Sequence, residues 1–235
     1  MGYHIDYSIL RDDYYLRRLI GGLETTLILF IVCLFASLLI GIILAGIRSA
    51  PIKPGQVAVA AFVEYQRNVP LLVHLLVWYF GVASILPNAV GDFANRHGAE
   101  FTFAAIALSL YGGAFISEDL RSGLRAIPKT QYESARSIGL SFAETLWLVI
   151  LPQAVRHAFP PIVNQVLSLY KNTSVAAVIG VAELMYRSRE IATETFRVFE
   201  IFSIATVVYF IGSVVLIGGG HACNRWLQIP GSASR

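Results

Sequence analysis

The sequence predicts an all-α integral membrane protein that crosses the lipid bilayer about five times. Of its 235 residues, 56% are hydrophobic and only 14% are charged, whereas a soluble domain usually carries about a quarter charged residues. Several apolar runs contain roughly the 20 residues that a helix needs to cross the hydrocarbon core of a bilayer. These runs are continuous rather than alternating, which argues against the strands of an outer-membrane barrel.

The predicted spans lie at about residues 24–47, 69–87, 101–120, 158–181 and 201–222 of a single transmembrane domain that covers residues 1–235. The apolar stretches within them carry no charged side chain, except that Lys171 interrupts the fourth. The first run is too long for the core of a signal peptide and lacks a clear cleavage site, so we expect it to be retained as a helix.

The same composition excludes several other classes of protein. A net charge of +3 without any dense Lys/Arg block gives no reason to expect a nucleic-acid partner. The chain contains no G-x-x-x-x-G-K-[ST] motif, and it lacks H-E-x-x-H and G-x-S-x-G. We therefore expect no enzymatic activity, and no cofactor, in this chain. Its two cysteines lie far apart in apolar runs and are expected to be buried hydrophobic residues.

Prolines mark the connections after the first span. Pro51 and Pro54 predict a turn, and residues 57–67 suit a short helix near the membrane interface that ends before Pro70. Glu64 and Arg67 are three positions apart in that helix and can pair. Pro160 and Pro161 suit the first turn of the fourth span.

Between the third and fourth spans, the stretch "YESARSIGLSFAETLWLVILPQ" (132–153) carries four charged residues and contains signals for the start and end of short helices. Thr130 and Glu133 have the spacing of a capping box, as do Ser141 and Glu144. Gly139 can close the first helix, at about residues 130–139, in a left-handed conformation. A helix this short is not stable alone in water, so it either folds back on its own protein or docks on another one.

The distribution of basic residues gives weak evidence for the orientation of the chain in the membrane. Ten lysines and arginines lie on the side of the 121–142 loop and seven on the other side, with Lys171 in the membrane. The excess favours a cytoplasmic 121–142 loop and an N-terminus outside, although Arg17 and Arg18, just before the first span, favour the opposite orientation.

The 132–153 stretch resembles the EAA loop of ABC importer permeases, whose pattern is E-A-A, a glycine, a hydrophobic residue and L-P. The matching positions are Glu133, Ser134, Ala135, Gly139, Val149, Leu151 and Pro152. Ser134 replaces the usual second alanine. The resemblance implies a MetI-like fold in which this segment is a cytoplasmic coupling helix that inserts into a groove on an ATPase subunit. Glu133 and Arg136 lie on one face of that helix.

Further segments resemble the polar amino-acid branch of these permeases: "GLETTLILF", "EYQRNVPLLVHLLVWYFG" and "ILPQAVRHAFPPIVNQVLSLYKNTSVAAVIGVAEL". The branch implies a bacterial inner-membrane permease that imports an amino acid. It works as a homodimer or with a sister permease, beside an extracytoplasmic solute-binding protein and ATPase subunits that hold ATP and Mg²⁺. The R-N-V-P and K-N forms look like those of glutamate/aspartate permeases. Glutamine, arginine or histidine are the alternative cargoes, and a self-sufficient channel or secondary transporter is the alternative class.

A lysine in mid-bilayer costs about 2.5–3.5 kcal/mol on insertion scales, so Lys171 is expected to face the protein interior. It either lines the substrate pathway, with Asn172, Thr173 and Ser174 as hydrogen-bonding neighbours, or forms an internal salt bridge, for example with Glu118, or packs between subunits. Arg67, with Glu64 beside it, is either an interfacial anchor or a gate or pathway residue.

Overall fold

The computed structural model describes residues 5–96 and 98–227, and within these ranges the chain is helical without any β-strand. After a short 3-10 turn (Ser8–Arg11) come α1 (Asp13–Ser49), α2 (Lys53–Asn68), α3 (Leu71–Ile85), α4 (Asn88–Arg96), α5 (Ala99–Arg125), α6 (Lys129–Ser137), α7 (Phe142–Ile179), α8 (Leu184–Thr195) and α9 (Val198–Leu227). Among the described residues, α1, α5, α7 and α9 are long and apolar enough to cross a membrane, and α2 with α3 forms a bent pair that brings the number of spans to as many as five. The predicted class, an all-α membrane protein with about five spans, is confirmed.

Small residues bring α1 and α5 into close contact at the centre of the fold. A Cβ atom added to Gly41 would lie 2.6 Å from Cγ2 of Ile116, and one added to Gly113 would lie 2.6 Å from Cγ2 of Ile40. The hydroxyl of Ser37 donates a hydrogen bond to a backbone carbonyl of α5, at 3.2 Å. Glycines at these positions therefore permit the approach of the two helices, as is common in membranes.

The second predicted span is the shorter arm of a sharp bend. α2 begins earlier than the sequence indicates, at Lys53, and the chain turns by 107° between α2 and α3. Pro70 precedes α3 and has no N–H with which to continue the helix of α2. Across the break, Nε2 of His74 lies 3.3 Å from the carbonyl oxygen of Gln66, which ties the two arms together.

Two features of α7 differ from the sequence-based expectation. Pro160 and Pro161 lie inside the α-helical segment Leu151–Asn172, so the expectation that they form the first turn of this helix is wrong. Membrane helices tolerate prolines because neighbouring groups satisfy the carbonyls that they leave free. α7 also contains a π-helical segment, Thr145–Ile150, and ends in a 3-10 turn, Thr173–Ile179.

At the other end of the molecule, the N-terminal segment straps α1 to α8 and α9. Ile9 is buried in an apolar cluster with Leu184 and Ile201. Asp6 forms an ion pair with Arg197 at 2.9 Å. This end of the fold is therefore held by both apolar and ionic contacts.

Candidate functional site

The predicted coupling segment forms a distinct short helix, α6, but its first turn is built differently from the expectation. α6 begins after Pro128 and no side chain caps its N-terminus. The predicted capping role of Thr130 is wrong, because the helix starts at Lys129 and Thr130 already lies inside its first turn. Pro128, directly before the helix, has an extended backbone conformation. It marks the start of α6, the role that was expected of the Thr130 hydroxyl.

The C-terminal end of α6 is closed as the sequence predicts. Gly139 has a φ of 92°, a left-handed conformation that favours glycine. The amide of Leu140 donates to the carbonyl of Ala135 at 3.2 Å, and the amide of Gly139 donates to that of Arg136 at 3.0 Å. This pair of hydrogen bonds is a Schellman motif. Arg136 also donates from Nη1 to the carbonyl of Leu140 at 2.8 Å.

The second predicted cap is confirmed. The hydroxyl of Ser141 accepts a hydrogen bond from the amide of Glu144 at 3.2 Å, and a carboxylate oxygen of Glu144 accepts one from the amide of Ser141 at 2.7 Å. Because both ends of the turn at Ile138–Ser141 are hydrogen-bonded, the direction of α6 relative to α7 is defined by local structure.

One face of α6 is packed and the other is open. Ala135 is only 4% exposed, and Tyr132 packs on a small cluster formed by Ile127, Ile150 and Ala154. Ile138 is 79% exposed, because the helix ends before it and Gly139 turns the chain.

Of the residues with a predicted coupling role, Ala135 lies on the packed face, so only part of the set is on the open side. Exposed within the described chain are Glu133, Ser134, Arg136, Gly139 and Pro152. Exposed apolar side chains follow in the next turns, with Phe142 at 71%, Trp147 at 69% and Leu148 at 67%. A mixed polar and apolar surface of this kind, on a rigid helix pair, has the chemistry of a protein docking site.

Lys171 lies where the α-helical part of α7 ends and the 3-10 turn begins. Its side chain is exposed on the isolated chain and makes no ion pair with a described residue. The alternative of a salt bridge with Glu118 is wrong. Glu118 is held instead by Arg48 at 2.8 Å and Arg125 at 2.7 Å.

The three residues after Lys171 differ in orientation. The Thr173 side chain is fully buried, and its hydroxyl donates to the carbonyl of Tyr170 at 2.6 Å. Ser174 donates to the carbonyl of Lys171 at 2.7 Å, and Asn172 is half-buried. The accessible polar groups of this stretch are therefore those of Lys171, Asn172 and Ser174, where α7 changes from α-helical to 3-10 geometry.

The predicted pair of Glu64 and Arg67 is not formed. The Glu64 carboxylate accepts a hydrogen bond from Asn68 at 3.0 Å. The guanidinium of Arg67 lies over the ring of Phe115, 5.4 Å from its centroid. The structure therefore joins Arg67 to α5 and separates it from the exposed Glu64.

Sequence reasoning missed an arginine-lined cleft of about 580 Å³ between α1 and the start of α8. Arg17, Arg18 and Arg187 line it. Glu190 accepts hydrogen bonds from Arg18 at 3.0 Å and Arg187 at 2.8 Å. Burial opposes ionisation of Glu190, but these two hydrogen bonds hold its pKa below the usual value. The only sequence signal was the density of arginine near both segments.

Sequence reasoning also missed Glu183, which is fully buried at the start of α8. Its carboxylate accepts hydrogen bonds from the amide of Tyr186 at 2.7 Å and the hydroxyl of Tyr209 at 2.6 Å. It thereby joins α8 to α9. Glutamate is an uncommon N-cap, so the local sequence does not reveal this role.

Long apolar helices and an exposed short helix at one end define a multi-pass membrane protein. Residues 37–227 match the family model described as "Binding-protein-dependent transport system inner membrane component". The chain belongs to this family, and it is an inner-membrane protein with several spans.

Relatives with known names are permeases of amino-acid transporters. A probable glutamine ABC transporter permease of Bacillus subtilis is 34% identical, over 95% of this chain and 99% of its own length. A glutamate transport system permease of Corynebacterium efficiens is 34% identical, over 81% of this chain and 86% of its own. The crystal structure of an amino acid ABC transporter with histidines contains a similar chain, with a TM-score of 0.83, 28% identity and coverage of 95% and 99%.

Proposed function

We propose that this chain is the permease subunit of an ABC importer that carries an amino acid, glutamate or aspartate, into the cytoplasm. The chain exposes a solute site alternately to the two sides of the membrane, and a partner ATPase supplies the energy. The observation that carries the substrate proposal is Lys171, an exposed cation without a described carboxylate partner, where a membrane helix changes from α to 3-10 geometry.

Electrostatics favours an acidic cargo. A cation in a medium of low dielectric constant attracts a carboxylate more strongly than it would in water. Every amino acid has one carboxylate, but glutamate and aspartate bring a second one that can reach Lys171 while the first is held elsewhere. Asn172 and Ser174 would supply hydrogen bonds beside it. The relatives named for glutamine and for glutamate are each 34% identical to this chain, over 95% and 81% of its length. Lys171, rather than overall identity, is therefore what supports the choice of glutamate or aspartate.

The open face of α6 is the proposed docking site for an ATP-binding subunit. Glu133 would pair with a cation of the groove, and Arg136, Ser134, Gly139 and Pro152 would keep the helix pair short and rigid. ATP and Mg²⁺ would be held by the partner. Because α6 is closed by the Schellman motif and followed at once by a capping box, it can transmit a displacement without unwinding.

Orientation and the remaining partners follow from this arrangement. The α6 end would face the cytoplasm, which leaves the N-terminal strap outside, where a solute-binding protein delivers the amino acid. The second permease would be another copy of this chain or a sister chain. Exposed apolar residues along α1 and α9, for example Phe35 at 68% and Val215 at 66%, are available for lipid and for that second subunit.

Uptake in cells tests the cargo. Radiolabelled glutamate would be offered to cells that lack this chain and to cells in which it is restored, with aspartate, glutamine, arginine and histidine as unlabelled competitors. Restored uptake that aspartate alone suppresses supports the proposal. Competition by glutamine, arginine or histidine would replace the cargo and retain the permease.

A charge reversal tests the docking site. Glu133→Arg should abolish co-purification of the ATPase subunit and reduce uptake to background. The exposed Lys53, at the start of α2, provides a matched control, because Lys53→Glu changes charge by the same amount away from α6. Full uptake and full ATPase binding by Glu133→Arg would rule out docking through this residue.

A further inference from the structure

Arg67 faces a surface of α5 that offers it two different partners. Phe115 and Asp119 are four positions apart in α5, so their side chains share one face about 6 Å apart along the helix. In this structure the Arg67 guanidinium lies over the Phe115 ring, 5.4 Å from its centroid, within the range of a cation–π contact.

Asp119 has no such partner. Its Oδ2 is buried and has no hydrogen-bond partner within the described chain. The carboxylate forms no ion pair with Arg67 or with any other described residue. The neighbouring carboxylate is fully used, because Glu118 accepts from Arg48 through Oε2 and from Arg125 through Oε1. A buried carboxylate oxygen without a donor is costly. Nη1 of Arg121 also lacks a hydrogen-bond partner but lies 3.9 Å from Glu118, whereas Arg67 makes no ion pair with a described residue and can relieve Asp119.

The position of Arg67 makes this partner exchange mechanically useful. It is the penultimate residue of α2, directly before the 107° bend into α3. The amide of Val69 still donates to the carbonyl of Tyr65 at 3.2 Å, and the helical hydrogen bonds stop at Pro70, which has no N–H. A shift of α2 by one helical turn along α5, or a change of the Arg67 rotamer, transfers the guanidinium from the ring to the carboxylate. Shifts of one turn between discrete packed positions are a known form of conformational switching.

We propose that Arg67 alternates between Phe115 and Asp119, and that the Arg67–Asp119 ion pair is a latch that holds a second conformation of the transport cycle. Arg67 and Asp119 are positioning residues, because they act on the α2–α3 bend rather than on the solute. This inference rests on the proposed function, since a cycle with at least two conformations is part of it.

Cross-linking tests the exchange directly. Cysteines would be placed beside the latch, with Arg67 and Asp119 kept, by Asn68→Cys and Ser122→Cys. Cys223→Ser would remove the exposed native cysteine and leave only the buried Cys33, and Asp119→Asn in the same background would show whether any change in rate needs the carboxylate. The assembled permease–ATPase complex would be treated with a short bifunctional thiol reagent, without nucleotide and with ATP plus vanadate. The latch predicts that the cross-linking rate changes by about tenfold between the two conditions, the ratio that corresponds to about 1.4 kcal/mol. Equal rates would overturn it.

Charge exchange provides an independent test. Arg67→Asp and Asp119→Arg should each lower the initial rate of uptake on the order of tenfold, and the double variant should recover most of it, as coupled neighbours do. Lys53→Glu, in the same helix, is the control and should transport normally. A double variant as defective as either single one, or normal uptake by Asp119→Asn, would overturn the latch. Because cross-linking requires no transported solute, it decides the latch even if the proposed cargo is wrong.

Discussion

The close approach of α1 and α5 leads to a quantitative prediction at Gly41. A Cβ atom at this position would lie 2.6 Å from Cγ2 and 2.9 Å from Cβ of Ile116, and 3.2 Å from the carbonyl oxygen of Gly113. A β-branched side chain cannot withdraw its Cβ without movement of the backbone, so Gly41→Ala must separate the helices. Overpacking of this kind costs about 1–3 kcal/mol.

Helix propensity works in the opposite direction, because alanine stabilises a helix by about 1 kcal/mol relative to glycine. Gly46 isolates this effect, since it lies in the same helix and a Cβ there would have no neighbour within 4 Å. Gly46→Ala should therefore stabilise the protein slightly. The difference between the two variants should be the steric cost, about 2 kcal/mol, or roughly thirtyfold in the unfolding equilibrium.

The assay is reversible unfolding in mixed micelles of increasing SDS content, with both variants compared with the unmodified chain. Gly41→Ala should shift the midpoint to lower SDS, and Gly46→Ala should leave it unchanged or raise it. Equal midpoints for the two alanine variants would refute the argument that steric contact with Ile116 sets the α1–α5 distance.

Three further predictions concern the cap, the arginine-lined cleft and the substrate pathway. Ser141→Ala removes the hydroxyl that caps Glu144 and should lower the free energy of unfolding by about 1 kcal/mol, measured in the same titration; an unchanged midpoint would mean that the cap contributes nothing. The pKa of Glu190 is held below its unfolded value, so its contribution to stability is present above the unfolded pKa, about 4.3, and is lost as the pH falls through the folded pKa. Melting temperatures between about pH 6 and 3 should therefore fall more steeply for the unmodified chain than for Glu190→Gln, and parallel curves would contradict this. Lys171→Met keeps the length of the side chain without its charge and should reduce glutamate uptake by about tenfold, the effect of about 1.4 kcal/mol of lost attraction; unchanged rate and affinity would remove Lys171 from the pathway.

Local signals were predictable where both partners are close in sequence. Ser141 and Glu144 are three residues apart, and Gly139 needs only its own backbone to turn left-handed, so these features follow from the chain itself. Thr130 shows the limit of this reasoning, because two residues upstream Pro128 offers a competing start for α6. The expectation that Pro160 and Pro161 begin a helix was wrong for a related reason, because a proline is compatible with both the beginning and the interior of a membrane helix.

Partners of charged side chains could not be predicted in the same way. Glu118 was one candidate partner for Lys171, but Arg48 comes from the end of another helix, 70 positions away, and takes its place. The expected pair of Glu64 and Arg67 is replaced by contacts with Asn68 and Phe115. An ion pair at helical spacing gains little, so packing against a neighbouring helix readily overrides it.

The amino-acid sequence by itself determined that the chain spans a membrane about five times and that a short, bounded helix interrupts the spans. Hydropathy and the hydrogen bonds at the ends of helices depend on residues that are close in sequence, so both can be predicted from the sequence alone. Only the tertiary structure decided the 107° bend, the contact of Gly41 with α5 and the buried Oδ2 of Asp119, which has no hydrogen-bond partner among the described residues. These features depend on which helices meet, and that choice is made by packing between segments far apart in the chain.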